Sequence, residues 1–233
     1  MEENRHSVVY HLRELRARII YCLLFWILAA VLIYYFTPAI LKFLAKPLNG
    51  SLVFTSPSEA FMAYIKLALL GGFFLALPFM VFQLFSFAAP GLRENERKWL
   101  AILLFPAFLL FLGGAAFSLL LLFPLAIKFF ISFGSNAALT PLISVKEYLG
   151  LATALAVMGG ISFQLPLIML FLAVIGIFSS RKYLANWKYA VLLSVIAAGL
   201  FTPTVDAFTQ ILFTLPLILL YGVGVWLCRI FKK

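Results

Sequence analysis

The sequence predicts an all-α, polytopic membrane protein with six transmembrane helices, both termini in the cytoplasm and the last two helices short. Three observations predict it. Apolar residues fill 65% of the 233 positions, charged residues only 11%, and mean hydropathy is +1.11. A soluble domain of this length needs far more charge to cover its surface. The apolar residues also collect into six runs, and the 18 Lys and Arg residues are shared unequally between the connections.

A membrane-spanning helix needs about 20 mostly apolar residues. The first run extends from Ile19 to Phe36 and stops before Pro38. It follows a polar stretch, Met1 to Arg18, and has no small-residue cleavage site after it. It therefore reads as a retained span and not as a signal peptide. The second runs from Phe61 to Phe87, the third from Trp99 to Leu125, and the fourth from Tyr148 to Ile177. The fifth, Trp187 to Phe201, is only 15 residues, and the sixth runs from Phe208 to Ile230. Fifteen residues rise about 22 Å against a hydrocarbon core of about 30 Å. The last two spans are thus expected to form a short hairpin that thins the bilayer locally. Almost no hydrophilic sequence lies outside the six runs, so one integral membrane domain over residues 1–233 is expected.

Orientation follows from the cations. Thirteen Lys and Arg residues fall before span one, between spans two and three, between four and five (counting Lys188 at the start of five), and after span six (counting Arg229 at its end). The other connections hold Lys42, Lys46, Lys128 and Lys146, with Lys66 inside span two and able to snorkel outward. The positive-inside rule puts the first set in the cytoplasm. This distribution accounts for the net charge of +10 without a nucleic-acid partner.

Pro78, Pro106, Pro124, Pro166 and Pro216 interrupt the spans, as do the pairs Gly71-Gly72, Gly113-Gly114 and Gly159-Gly160. Such breakers survive in lipid when neighbouring helices satisfy the freed carbonyls, and glycine pairs permit close helix approach. Kinked helices favour a concave, glove-like arrangement over a straight bundle. No internal repeat is visible, which weighs against an inverted-repeat transporter.

Catalysis has little to work with. The histidines are His6 and His11 alone, and Cys22 and Cys228 sit in or beside apolar runs as small fillers. No phosphate loop, metal-ligand spacing or nucleophile–base pair is present. Neither an enzyme nor a resident cofactor is expected. The eight acidic residues are more informative. Glu14 lies in the lead-in to span one, four residues before Arg18, so the two can pair along one helix face. Glu94 and Glu96 lie in the loop Pro90-Gly91-Leu92-Arg93-Glu94-Asn95-Glu96-Arg97-Lys98. Each reads either as a solvated partner of nearby cations or as an acceptor for an incoming guanidinium, which carboxylates bind bidentately. Gln164, in Phe163-Gln164-Leu165-Pro166, is a mid-span carboxamide that needs a partner in its own chain or in another helix. Asp206 suits the start of span six as a helix cap.

The series His11-Leu12-x-Glu14-Leu15-Arg16-x-Arg18, Lys46-Pro47-Leu48, Gln83-x-x-x-Phe87-x-x-Pro90-x-Leu92-x-x-x-Glu96-Arg97, Phe163-Gln164-Leu165-Pro166 and Thr202-Pro203-x-x-Asp206-x-x-x-Gln210, with Pro216 and Tyr221, resembles the TatC family. TatC proteins are the membrane receptor subunits of twin-arginine protein translocation. Each motif is weak alone; their order, spacing and topology together are specific over almost the whole chain. The resemblance implies a receptor in the cytoplasmic (inner) membrane. It would bind twin-arginine signal peptides of folded cargo at its cytoplasmic face, associate with itself, and recruit single-span TatA/TatB-type subunits for export driven by the proton-motive force. It implies that Glu14 and Glu96 receive the two arginines, that Arg16, Phe87, Pro90, Leu92 and Arg97 shape that site, and that Gln164 contacts a partner helix. Pro47 and Asp206 would support the outer side. Two positions depart from the family pattern: Gln164, often Glu, and Gly222, often Glu after the aromatic at Tyr221. Against this stand a solute transporter, which would need ionisable residues at a midplane cavity, and an insertase, for which Lys66 alone is a loose candidate.

Overall fold

The computed structural model describes residues 2–48, 52–91, 93–135, 142–201 and 206–231. Helices make up most of these residues: α1 (Glu2–Tyr34), α2 (Thr37–Leu44), α3 (Pro57–Ala88), a 3-10 turn (Ala89–Gly91), α4 (Glu94–Phe117), a π turn (Ser118–Leu122), α5 (Phe123–Ser135), α6 (Val145–Ser162), α7 (Leu165–Val174), α8 (Ser180–Ala185), α9 (Trp187–Phe201) and α10 (Ala207–Phe231). Among the described residues there is no strand; Val53 and Ser144 form a single parallel bridge.

Five stretches are long and apolar enough to cross a membrane: His11–Tyr34, Pro57–Gly91, Glu94–Gly134, Val145–Val174 and Ala207–Phe231. The fifth expected span is the shorter apolar helix Trp187–Leu200. The third run is longer than its sequence suggested, because α4 passes through the π turn into α5 without a break in the helical path. The fourth is interrupted: α6 ends at Ser162 and α7 starts at Leu165. Pro166 sits in the first turn of α7, where its missing N–H costs least.

The chain forms two compact units, one of residues 1–41 and 64–108, the other of residues 42–63 and 109–233. In the first, α1 and α3 pack antiparallel. The contacts run in opposite directions along the two helices. A Cβ built on Gly72 would fall 2.6 Å from the Ala30 backbone, so only glycine allows this approach. Phe25 stacks on Phe79 at 4.7 Å, Arg18 reaches Gln83, and His11 packs against Phe87 at 5.1 Å. Trp26 closes a further link through its indole N–H, which donates to the Leu69 carbonyl at 2.8 Å. Ala29 and Ala30 are buried, whereas Leu28 and Leu32 on the same helix are exposed. A small-residue interface with large apolar side chains turned outward is the pattern expected where lipid, not water, is the solvent.

The second unit is organised around α6. Its Gly159 meets Gly114 of α4 and Ser118 of the π turn, and Gly160 meets the Phe111 ring. Tyr148 is buried, donates its hydroxyl to the Leu44 carbonyl, and takes the Phe123 ring edge-on at 4.8 Å. Buried Glu59 ties the connections together. Its Oε2 accepts from the backbone N–H and hydroxyl of Thr55 at 2.7 and 2.8 Å. Its Oε1 accepts from the Ser144 hydroxyl and from the Lys146 N–H, the latter at 2.8 Å. In Glu59→Gln the carboxamide NH2 cannot accept, so at least one buried donor loses its partner, at a cost of about 1–3 kcal/mol. The variant is expected to melt at lower temperature in detergent and to be cut faster by protease within residues 52–58 and 142–146; an unchanged cleavage rate would contradict this role.

Candidate functional site

The antiparallel pairing of α1 with α3 decides where the charged residues gather. Because His11 lies against Phe87, the end of α3, the 3-10 turn with Pro90, and the start of α4 all belong to the end of this unit that carries the basic lead-in of α1. The sequence-predicted residues Glu14, Arg16, Phe87, Pro90, Glu96 and Arg97 are therefore all at one end of one unit. Leu92 and residues 202–205 lie outside the described residues.

Glu14 is half-buried and already engaged. Arg18 donates to its Oε1 from Nε at 3.0 Å and from Nη2 at 2.7 Å. The spacing of four residues produces this pair, as the helix period requires. The third guanidinium nitrogen, Nη1, donates to Gln83 Oε1 of α3 at 2.8 Å. The other carboxylate oxygen of Glu14 stands 3.7 Å from His11 Nδ1, too long for a hydrogen bond.

Glu96 plays a local part that the sequence did not announce. Its Oε2 accepts from the backbone N–H of Arg93 at 3.1 Å. Arg93 precedes the first residue of α4 and Glu96 is the third residue within it, so this is the return half of a capping box. The usual Ser or Thr at the cap is replaced by Arg93, and that removes the sequence signature. Glu94 and Glu96 together place two negative charges in the first turn of α4, where the helix dipole favours them. Arg16, Pro90 and Arg97 are exposed and Phe87 is half-buried.

The remaining predicted residues fall in the second unit. Gln164 is half-buried at the turn between α6 and α7, with its backbone carbonyl accepting from Ile168 N–H at 3.0 Å. Pro47 is half-buried in a turn closed by the Leu48 N–H and the Ala45 carbonyl at 3.0 Å. Asp206 caps α10: its Oδ1 accepts from the Thr209 N–H at 2.7 Å, the role its position suggested. Gln210 crosses to α9 and donates to the Val195 carbonyl at 3.1 Å. Tyr221 donates to the Tyr183 carbonyl at 2.8 Å. Burial pushes the Tyr183 phenol up to about 12, so it stays protonated. Gly222 helps to line a cavity of about 350 Å³ with Trp187, Trp226 and Arg229. No atom lies within 4 Å of a Cβ built there, so the missing side chain leaves open space. Among the described residues no group of His, Cys, Asp and Glu could hold a metal ion.

Residues 10–216 match the family model described as Sec-independent protein translocase protein (TatC). The chain is 34% identical over 224 residues to the Sec-independent protein translocase protein TatC of Koribacter versatilis, covering 92% of this chain and 82% of that one. It is 32% identical over 235 residues to the protein of the same name from Carboxydothermus hydrogenoformans, covering 100% and 96%. A crystal structure of the twin-arginine translocase receptor TatC superposes with a TM-score of 0.81 at 30% identity, covering 96% of this chain and 100% of that one. The family model spans most of the sequence, the relatives match nearly end to end, and the helical architecture agrees. The chain therefore belongs to the TatC family, as a multi-pass membrane subunit of twin-arginine translocation, a transport component rather than an enzyme.

Proposed function

We propose that this chain is the signal-peptide receptor of its translocase and that the charged end of the first unit receives the two arginines. The observation that carries the reading is the state of Glu14. It already binds a guanidinium through two N–H···O contacts, from Arg18, so its position and polarity suit the group a twin-arginine peptide presents. Glu96, on the adjoining start of α4, supplies a second carboxylate. Arg16 and Arg97 keep the surrounding rim positive, which repels a non-specific basic segment and leaves the carboxylates as the attractive points. Phe87 and Pro90 offer apolar surface beside them, and Leu92 belongs to the same segment.

The remaining assignments follow from this reading. The basic end is cytoplasmic, the short α9 and the full-length α10 complete six spans, both termini lie inside, and the whole chain works as one integral domain in the cytoplasmic membrane. Gln164 is the contact for a partner helix of the TatA/TatB type, worth about 0.6–2 kcal/mol as an interhelical hydrogen bond. That size suits reversible assembly, including self-association of receptors. Pro47 and Asp206 hold the opposite side in shape.

Photo-crosslinking tests the receptor reading. A twin-arginine peptide carrying a photoreactive group beside its arginines is expected to label residues near positions 14, 87 and 96 in membranes. Labelling confined to the other end of the spans, or equal labelling with a twin-lysine peptide, would sink it.

A further inference from the structure

Arg18 is held more firmly than an ordinary helix-surface pair. An (i, i+4) ion pair needs no third member, yet Gln83, 65 residues away on α3, fixes the remaining nitrogen at 2.8 Å. Arg18 and Glu14 are each only 24% exposed. Gln83 is neutral, so it orients the guanidinium without cancelling its charge. Both contacts from Arg18 end on the same oxygen, Glu14 Oε1, while Oε2 faces His11 at 3.7 Å. His11 is itself placed by the Phe87 ring.

We infer that Arg18, clamped by Gln83, is a resident stand-in for a cargo arginine, and that the pair sets the specificity of the site. The inference rests on the receptor reading above. An arriving guanidinium meets a carboxylate with one oxygen already saturated and a fixed positive charge beside it. It must displace Arg18 from Oε1 or dock on Oε2 against like-charge repulsion. A guanidinium can replace the two N–H···O contacts that Arg18 gives up; an ammonium, as a single point charge, cannot reproduce that fork. One arginine alone does little more than exchange with Arg18. Two at the right spacing gain the second carboxylate as well. The clamp thus lowers affinity for every peptide but lowers it most for those with one arginine or with lysines, which is discrimination by a repulsive element.

The purified full chain in lipid nanodiscs is titrated with fluorescent peptides carrying Arg-Arg, Arg-Lys or Lys-Lys. For Arg18→Gln the Arg-Arg peptide is expected to bind about tenfold tighter, since a like charge and a competitor are both removed. The Arg-Lys peptide is expected to gain more, so that the preference for Arg-Arg over Arg-Lys narrows. Gln83→Ala keeps the ion pair but frees the guanidinium; it is expected to act in the same direction with a smaller gain, and it decides the matter if Arg18→Gln fails to fold. Weaker or unchanged Arg-Arg binding in the variant that folds would overturn the inference, because a merely supporting arginine weakens the site when lost. An unchanged Arg-Arg to Arg-Lys ratio would also overturn it. If wild type binds Arg-Arg no better than Lys-Lys, and Glu14→Ala changes nothing, the receptor reading itself fails, and this inference with it.

Discussion

Replacing Gly159 with valine is expected to abolish correct packing of the second unit. A Cβ at this position falls on the Ser118 side chain and the Gly114 carbonyl, and the reverse substitution at Gly114 meets the Gly159 carbonyl. Backbone cannot move aside as a flexible side chain can, so relief requires separating α4 from α6. Overpacking of this kind costs about 1–3 kcal/mol or more, and helices in lipid have no hydrophobic effect between them to offset the lost contact. Gly113 is the internal control: no atom lies within 4 Å of a Cβ placed there, so Gly113→Ala should be silent. Size-exclusion chromatography after detergent extraction reads both. Gly159→Val should lose most of its monodisperse peak while Gly113→Ala keeps it; a normal peak for Gly159→Val would refute the close crossing.

The second large effect is on binding. Glu14→Gln removes the charge that we propose receives an arginine, and truncating one partner of a hydrogen-bonded charge pair costs about 2–5 kcal/mol. At least a thirtyfold loss of affinity for a twin-arginine peptide is expected. Glu96 needs a subtler variant, because its Oε2 also caps α4 through Arg93 N–H. Glu96→Ala would lose cap and charge together. Glu96→Gln keeps an acceptor at the third helical position, where Gln serves as well as Glu, and loses only the charge. Unchanged thermal stability with a loss of peptide affinity comparable to that of Glu14→Gln is the expected outcome for Glu96→Gln. Full affinity would remove Glu96 from the site.

What the sequence disclosed was local or periodic. Apolar runs gave the long helices, and the four-residue spacing gave the Glu14–Arg18 pair. The position of Asp206 before the last run gave its cap. What it withheld depends on tertiary contact. Nothing local marks Gln83 as a partner of Arg18, or Glu59 as the acceptor that joins Thr55 to Ser144 and Lys146. The short helices α2 and α8 lie in connections whose composition reads as loop. The π turn at Ser118–Leu122 has no composition signal, since its leucines continue the apolar run on either side. The capping role of Glu96 was masked by an arginine in the place of the usual hydroxyl residue.

The carboxylates at the charged end of the first unit are proposed to recognise paired guanidinium groups. Binding of Arg-Arg and Lys-Lys versions of one signal peptide to the wild-type chain in nanodiscs, read by fluorescence anisotropy, tests it most directly. At least tenfold tighter binding of the Arg-Arg peptide is expected, about 1.4 kcal/mol. Equal affinity for the two peptides would contradict it.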